Sequence, residues 1–314
     1  MSLLQPLWQV GSGEDARPYW DWMHRNKVIA IGPGSAGRWP NGDYGDASEL
    51  HSFAEHPQVG DLVVAKHGKR TALAIGVLGP YDFDEDLDDI EGWDLCHFRR
   101  VNWLPVEPEE FRGPVLAQSR FSGCRQREVV EWVERSIAGM ALDPPDVDTL
   151  APIESRGPRL DIDTLDAELR QVIERARRWH DYTWGADGFG GWPSEKEFLT
   201  HITVPFLEAL GWPAAQIAIE WNRWDIALFS QVSRANENCR VIIEGKRVGA
   251  GLHWAEVQGK RYADKVGHQV YVVVTDGIRY KLLRPHSNEL IYAHLVRPRE
   301  SAECLFDALR CPPA

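Results

Sequence analysis

The second half of the chain has an apolar pattern that is typical of helices alternating with buried strands. Segment 161–180 carries apolar residues at helical spacing and predicts a helix. Ser194 and Glu197 fit a capping box, which predicts that a second helix begins at this point. Apolar runs predict three strands, at 224–229, 240–246 and 269–275, with a helix at 253–266 between the last two. This order predicts an α/β core in which helices pack against a mixed sheet.

The first half has shorter apolar runs and predicts mostly strands. The predicted strands are 8–10, 28–32 and 96–103, and a short helix is predicted at 15–25. Segment 60–78 predicts a hairpin that turns near His67 and Gly68. Several short strands around one or two helices predict a small β-barrel.

A linker is predicted between the two halves. Segment 141–160 contains four prolines and little periodicity, as linkers do. We therefore predict one domain over 1–140 and a second over 161–314.

Composition places the chain among globular proteins that do not enter membranes. Of its 314 residues, 43% are hydrophobic and 26% are charged, and no apolar run is long enough to cross a bilayer. The first residues have neither a basic nor an apolar segment of the kind found in signal peptides. The five cysteines are scattered and form no CxxC pair, which argues against a disulfide framework or a zinc cluster and predicts a cytoplasmic location.

Charge is unevenly distributed along the sequence. The formal net charge of -12 argues by itself against a nucleic-acid partner, and Tyr81–Trp93 contains seven acids and no base. Residues 240–299, however, contain eleven Lys and Arg against five Asp and Glu, a net +6. Because salt screens charges beyond roughly 8 Å, a local basic surface can bind phosphates on an acidic protein. The alternative is a solvated face on which basic residues cluster by chance.

Asp225, Glu244 and Lys246 are the candidate catalytic residues. Asp225 opens one predicted strand, and Glu244 and Lys246 end the apolar run of the next. Two carboxylates from adjacent strands can hold Mg²⁺, with Mn²⁺ as a substitute, because these hard cations prefer oxygen ligands. A lysine two residues after the glutamate projects from the same strand face and could orient an attacking water. The alternative is a structural Glu–Lys pair at a strand end.

Two helices add candidates to this group. At 100° per residue Glu195 projects onto the apolar face of the helix that starts at Ser194, whereas Glu197 projects away and is explained as a cap. The apolar face is formed by Phe198, Ile202, Phe206 and Leu210. Glu195 is therefore predicted to be a third metal-binding carboxylate. On the predicted helix 253–266, Gln258 and Tyr262 lie one turn apart and project the same way.

The second half resembles the PD-(D/E)xK nucleases, of the restriction-endonuclease-like fold, in the variant found at the N-terminus of type I restriction motor subunits. The resemblance covers about 194–283 and rests on Glu195, 205–212, Asp225–Leu228, Val241–Lys246, Gln258, Tyr262 and Val274–Gly277. It implies that Glu195, Asp225 and Glu244 bind Mg²⁺, and that Lys246 assists the water. It also implies that the helix of Gln258 and Tyr262 contacts nucleic acid, with Lys260 and Arg261 beside them suited to phosphates.

Two positions depart from this pattern. Gly245 stands where a small apolar residue is usual, and Trp224 stands where the motif name has proline. The eleven histidines form neither HxH nor HExxH, which argues against an HNH nuclease or a zinc site.

The first half resembles the EVE branch of the PUA-like barrels, over about 7–104. The segments that carry this resemblance are 8–11, Trp20, Trp22, 29–34, 60–65, 74–81 and 97–103. Relatives of this kind include proteins that hold a flipped, modified base in an aromatic pocket. The chain has 14 tryptophans, most of which are expected in the core. Trp22 and Trp39 are the predicted pocket residues, because both lie near the loop Gly32–Gly37, where glycine lets a backbone approach a ligand closely.

Together these features predict a cytoplasmic, homodimeric, Mg²⁺-dependent DNA endonuclease of the restriction, or phage-defence, kind. Its first domain would sense modified cytosine in double-stranded DNA, and its second would hydrolyse phosphodiesters. Two alternatives stay open: a catalytically inactive nucleic-acid-binding module, and a nuclease that acts on RNA.

Overall fold

The chain folds into two compact units. A computed structural model describes residues 5–15, 17–42, 48–184, 188–189, 193–248, 252, 261, 270–284 and 290–312. Contacts divide it into a first unit, Met1–Arg156, and a second unit, Gly157–Ala314. The division falls inside the predicted linker 141–160. The part of this linker before the division packs on the first unit, where the Asn26 side chain accepts a hydrogen bond from the Glu154 amide at 2.7 Å.

The first unit consists of short strands and three described helices. The strands are β1 Leu7–Gly11, β2 Gly13–Glu14, β3 Arg17–Pro18, β4 Val28–Ile31, β5 Leu62–His67, β6 Thr71–Phe83, β7 His97–Trp103, β8 Glu109–Glu110 and β9 Phe121–Gly123. The helices are α1 Trp20–Asn26, α2 Ser48–Glu55 and α3 Arg127–Ser136. β5 and β6 form the predicted hairpin, and Gly68 supplies a positive φ at its turn.

The main sheet of the first unit is mixed. Its strand order is β4-β7-β6-β5-β1-β9, and β8 also pairs with β6. β1 runs parallel to β5, and the other pairs of this sheet are antiparallel. In the described residues no pairing joins β4 to β9, so the sheet is open there. The predicted closed PUA-like barrel therefore stays a prediction.

Side chains from both faces of this sheet are buried. Val63 and Ala65 of β5 pack into a core with Trp22, Met23 and Phe53. Leu62 and Val64, which alternate with them in β5, pack into a second core with Trp132 and Val133 of α3. Since successive side chains of a strand point to opposite faces, burial on both sides explains the nearly continuous apolar run of β5.

The second unit places helices against a six-stranded mixed sheet. Its helices are α4 Ala167–Trp184, α5 Glu195–Phe198, α6 Val204–Ala209 and α7 Ser301–Leu309, and a π-helical turn, Leu199–Thr203, joins α5 to α6. Its strands are β10 Ile217–Trp221, β11 Trp224–Phe229, β12 Cys239–Gly245, β13 Tyr271–Thr275, β14 Arg279–Leu283 and β15 Leu290–His294.

The strands of the second unit lie in the order of the sequence, from β10 to β15. β12 and β13 run parallel, and the other neighbours are antiparallel. A parallel pair needs a long crossover, which the segment between Gly245 and Tyr271 supplies. The predicted helix 253–266 falls in this crossover and lies almost entirely outside the described residues. The mixed α/β class is as predicted, and β10, β14 and β15 are strands beyond the three that the sequence predicts.

The core of the second unit lies between the sheet and its helices. Phe198, Ile202, Phe206 and Leu210 are fully or almost fully buried, which confirms the predicted apolar face. They pack with sheet residues that include Ile226 and Ile243. In the part of the chain that the structure describes, no helix has the length and apolar character needed to span a membrane.

Candidate active site

Asp225 and Glu244 lie on neighbouring strands. The register pairs Ile226 of β11 with Ile243 of β12, so the next step along the ladder places Asp225 opposite Glu244. Asp225 is half-buried, and its Oδ2 accepts a hydrogen bond from the Gly245 amide at 2.7 Å. Glu244 is only 4% exposed. The hairpin and the strand pairing thus bring together two acids that are nineteen positions apart in the sequence.

Lys246 follows β12 and turns its side chain back to Glu244. Its Nζ donates to Glu244 Oε1 at 2.8 Å, and its backbone amide donates to the Thr275 carbonyl at 2.8 Å. This backbone bond extends the parallel pairing of β12 and β13 by one residue. The lysine side chain is partly exposed, so the ammonium holds a buried carboxylate and still reaches the surface.

Glu195 approaches the same strand end from the helical side. The Ser194 side chain accepts from the Glu197 amide and the Glu197 side chain accepts from the Ser194 amide, which confirms the predicted capping box. Glu197 is exposed, whereas Glu195 is half-buried. The cap fixes the first turn of α5 and thereby directs Glu195 towards the sheet.

Helix and sheet approach each other closely at Gly245. A Cβ placed on Gly245 would lie 2.8 Å from Leu199 Cδ1 and 3.2 Å from Glu195 Cγ. The absence of a side chain therefore leaves the space that the Glu195 stem occupies. In the sequence, Gly245 stands out only as a departure from a family pattern. Its position inside a strand was the available signal, because glycine there often marks a close approach.

The three acids and the lysine act on one another electrostatically. Burial raises the pKa of Glu244; the hydrogen bond and charge of Lys246 oppose the increase, and the charges of Asp225 and Glu195 add to it. Burial also raises the pKa of Glu195, with a further increase from Asp225 and a decrease from Lys246. Residues from α5, β11 and β12 thus form one cluster in which negative charge exceeds positive charge.

The chemistry of this cluster fits a hard divalent cation. In the described parts of the chain, no group of three or more acidic, His or Cys side chains is already arranged as a metal cage. Asp225 and Glu244 instead face the Gly245 amide and the Lys246 ammonium. Mg²⁺ is commonly held by one or two carboxylates together with waters and substrate phosphates, so oxygen donors on two adjacent strands meet its needs. The mutual repulsion of these acids favours a cation among them.

The predicted nucleic-acid contacts lie mostly beyond the structural description. Gln258, Lys260 and Tyr262 are outside the described residues, and Arg261 is exposed.

The two tryptophans predicted to form a base pocket have different surroundings. Trp22 is 7% exposed, packs in the core of the first unit and donates its indole N–H to the Glu154 carbonyl at 2.9 Å. Trp22 thus packs in the core, and its assignment to a base pocket stays a prediction. Trp39 is partly exposed, and its ring lies 4.8 Å from that of His51. Its backbone amide donates to the Tyr81 hydroxyl at 3.2 Å.

The loop Gly32–Gly37 uses its glycines for contacts within the protein. A Cβ on Gly32 would lie 2.1 Å from the Asp94 carbonyl oxygen, and one on Gly34 would lie 2.4 Å from Cys96 Sγ. The close approach expected from this loop is thus to its own chain, which accounts for these two glycines without a ligand.

Comparison with known proteins assigns no activity to either unit. The model of a family described as a domain of unknown function (DUF8426) matches residues 8–122, which lie within the first unit. No curated protein and no solved structure matches the chain.

Proposed function

We propose that this chain is a Mg²⁺-dependent DNA endonuclease whose second unit hydrolyses phosphodiesters. The observation that carries the proposal is the convergence of Glu195, Asp225 and Glu244 on one strand end beside Lys246. These residues come from a helix and two strands, and they include the acids and the lysine of the PD-(D/E)xK resemblance. A structural Glu–Lys pair alone gives no reason for two further acids to face it.

Asp225 and Glu244, with Glu195 beside them, are the residues that would hold the metal together with waters and substrate phosphate, since no described group of three such side chains could hold it alone. Bound Mg²⁺ supplies positive charge at the scissile phosphate and lowers the pKa of a water, which is how it promotes hydrolysis at neutral pH. Because Glu244 is almost wholly buried, its carboxylate has a fixed position against Lys246. Because the group is already held in place, little entropy is lost when the reacting groups come together.

The Lys246 ammonium has N–H donors that are available to bind the substrate. Its ammonium carries three N–H groups, and among the described residues only Glu244 accepts a hydrogen bond from it. The remaining donors can orient a water or offset negative charge on a phosphate oxygen. Lys246 thus links the carboxylates to the group that reacts.

A basic segment supports DNA as the substrate. The net +6 over 240–299 includes the segment of Glu244 and Lys246, and Arg261 is exposed. Lysines and arginines that contact phosphates release counterions, so binding should weaken steeply as salt rises. Cleavage of both DNA strands needs two active sites or two successive binding events at one site, and a homodimer would supply two sites. The proposed location of the enzyme is the cytoplasm.

The first unit is proposed to sense modified cytosine in the DNA. The partly exposed Trp39 beside His51 and Tyr81 supports this, because aromatic side chains are the surfaces on which a flipped base stacks. This assignment also rests on the resemblance of the first half to EVE-type domains.

Cleavage of DNA by purified variants tests the proposed activity. Supercoiled DNA that contains modified cytosine is incubated with the full chain in Mg²⁺, in Mn²⁺ and in EDTA. We expect nicked or linear product with either metal, and a loss of at least about a hundredfold in rate for Asp225→Asn, Glu244→Gln and Lys246→Met, as removal of one group that stabilises developing charge commonly causes.

Glu208→Gln is the matched control, because it makes the same change as Glu244→Gln at an exposed acid of α6. It should cleave like the wild type. Near wild-type cleavage by any of the three site variants would overturn the assignment. Retention of DNA binding without cleavage by the wild type would instead indicate a binding module, and preferential cleavage of matched RNA would indicate an RNA-directed enzyme.

A further inference from the structure

A pocket in the first unit is lined by basic residues that have no role in the proposed nuclease. Its volume is about 230 Å³, and the residues that line it include Gly11, Tyr19, Lys66, Lys69, Trp93 and Arg120. These residues come from β1, from the segment before α1, from the β5–β6 hairpin, from the segment before β7 and from the loop before β9. All of the lining residues that the structure describes belong to the first unit.

Lys66 is a buried cation without a hydrogen-bond acceptor for its ammonium among the described residues. It is 4% exposed and ends the apolar run of β5. The Ser12 amide and hydroxyl both donate hydrogen bonds to the Lys66 carbonyl, at 3.0 and 2.9 Å. These contacts fix the backbone of Lys66 and do not involve its ammonium. The nitrogen itself is not fully enclosed, because Lys66 borders the pocket, and an anion bound there would supply the ammonium with a partner.

The geometry of β5 explains how Lys66 comes to line the pocket. The pairing of β5 with β6 shifts register between Ala65 and Lys66. An irregularity of this kind re-aims a side chain that would otherwise continue the alternation of the strand. Burial lowers the pKa of the Lys66 ammonium, and the charge of Glu49 partly opposes this effect.

The other charges around the pocket leave it positive. The Glu14 carboxylate is paired with Arg17 at 2.8 Å, and Glu49 is paired with Arg120 at 3.3 Å. Lys69 stands exposed at the rim, and no described residue forms an ion pair with it. Glu14 and Glu49 are thus paired with arginines, although the charge of Glu49 also acts on Lys66, and Asp15 lies 2.7 Å from His67 of the hairpin. No described residue forms an ion pair with either lysine, which suits an anionic ligand.

Size and aromatic walls restrict the kind of anion. Drug-sized ligands occupy pockets of roughly 300–1,000 Å³, so this pocket fits a smaller molecule or one end of a larger one. Tyr19 and Trp93 meet edge-on with their ring centroids 5.7 Å apart. The Arg17 guanidinium covers one face of Trp93 at 3.9 Å from the ring centroid, and the other aromatic surface lines the pocket next to the lysines. A pocket that is lined by lysines on one side and by aromatic rings on another suits a ligand in which an anionic group is attached to a flat organic group.

We propose that this pocket binds the phosphate of a phosphate monoester, supplied by a nucleotide or by the phosphorylated end of a nucleic-acid strand. A phosphate monoester carries close to two negative charges at neutral pH, which matches Lys66 and Lys69 better than a carboxylate with one. Lysine acts on phosphate as a compact point charge and needs no particular orientation of the ester. The proposal goes beyond the nuclease and does not depend on it.

Calorimetric titration of the full chain in EDTA tests this site, because the chelator excludes metal-dependent cleavage. The ligands are inorganic phosphate, deoxycytidine 5′-monophosphate and unphosphorylated deoxycytidine. We expect the monophosphate to bind and the nucleoside to bind at least about tenfold more weakly, as loss of a charged hydrogen bond implies. Equal affinities for the two, or no binding of any phosphate at millimolar concentration, would overturn the proposal.

Two lysine variants show whether binding depends on the buried ammonium. Lys66→Met keeps a similar volume and removes the charge, so affinity for the monophosphate should fall at least about tenfold. Lys27→Met makes the same change at an exposed lysine of the same unit and should bind like the wild type. If Lys66→Met bound the monophosphate as tightly as the wild type does, Lys66 would not be the cation that holds it, and the proposal would fail.

Thermal unfolding separates a ligand-binding role of Lys66 from a structural one. Without ligand, Lys66→Met should unfold at or above the wild-type temperature, because it removes an unpartnered buried charge. A much lower midpoint would show that the ammonium has a structural partner and would overturn the proposal. If the variant does not fold, Lys69→Met at the exposed rim replaces it, and unchanged affinity for the monophosphate would then count against the site.

A pair of oligonucleotides identifies the source of the phosphate. Single strands that differ only in a 5′-phosphate or a 5′-hydroxyl are titrated under the same conditions. Tighter binding of the phosphorylated strand that is lost in Lys66→Met supports the strand end as the ligand. Equal binding of the two strands, together with specific binding of the mononucleotide, supports a free nucleotide.

Discussion

Glu195 and Glu197 stand two positions apart on α5, yet the structure gives them different surroundings. Glu197 accepts the Ser194 amide at 2.7 Å and is exposed, whereas the Glu195 stem lies against Gly245 in the acidic cluster. The same substitution at each position should therefore have different consequences. Helical periodicity and a capping motif were enough to predict this difference, because both depend on local geometry alone.

We predict that Glu195→Gln abolishes most metal-dependent cleavage with little loss of stability, because the amide keeps the shape and loses the charge. Glu197→Gln should retain cleavage and lower the free energy of unfolding by about 1 kcal/mol or less, through a weaker cap. Cleavage rates and urea unfolding of both variants give the comparison. Loss of cleavage in Glu197→Gln with normal cleavage in Glu195→Gln would show that the inward-facing acid was assigned wrongly.

Close packing at single residues is the part of the site that the sequence could not predict. Gly245 faces Leu199 and Glu195 across the helix–sheet boundary, and this proximity depends on how the two elements dock. Trp22 shows the same limit in the first unit. Its neighbour Glu154 is more than a hundred positions away, so proximity to a glycine loop in sequence suggested a pocket where the structure has core.

At the scale of elements, the β10–β11 hairpin positions Asp225 through a two-residue turn. Trp221 pairs with Trp224, and both turn residues between them have positive φ, 52° at Asn222 and 89° at Arg223. Turns of this kind match the twist of the strands and favour Asn followed by Gly. An arginine in the second position is strained, because its Cβ disfavours the left-handed region.

Arg223→Gly should therefore raise the free energy of unfolding of the second unit by up to about 1 kcal/mol. Relief of left-handed strain stabilises the folded state by roughly 1–2 kcal/mol. The greater conformational freedom of glycine stabilises the unfolded chain and offsets part of this gain. Urea unfolding measures the gain. Arg223→Ala is the control, since it removes the same side chain and keeps the strained Cβ. An equal gain in both variants would assign the effect to the arginine side chain and contradict the turn argument.

Apolar periodicity predicted those elements whose burial is visible in the sequence. The runs of β11, β12 and β13 are nearly continuous, and the Asp-Gly pair after β13 forms the predicted turn, with Gly277 at φ 83°. β14 escaped prediction because charged residues interrupt its pattern. One of these, Arg279, is buried and ion-paired with Asp276, and only the folded structure supplies that partner.

At the scale of the whole molecule, the net charge and the local charge of the sequence point to different partners. The total of -12 includes the acidic run Tyr81–Trp93 in the first unit, whereas the basic excess of 240–299 belongs to the second. Since screening makes electrostatics local, the sign over one surface matters more for a partner than the sum over the chain. A division into two units was accessible from the prolines of 141–160, but its position at Arg156 depends on which unit that segment packs against.

Two tryptophans of the first unit test its proposed role as a sensor of modified cytosine. We expect the full chain to cleave DNA containing methyl- or hydroxymethylcytosine faster than plain DNA, because an added group fills apolar space beside a stacked base. Trp39→Ala should remove this preference and keep the fold, since stacking on one partly exposed aromatic ring is worth roughly 1–3 kcal/mol.

Trp22→Ala should instead lower the free energy of unfolding by about 3–5 kcal/mol, because it empties a core position. Paired substrates that differ only in the modification, cut under identical conditions, give the comparison, and thermal unfolding reports the fold. Equal cleavage of modified and plain DNA by the wild type would remove the sensor and leave the nuclease assignment intact.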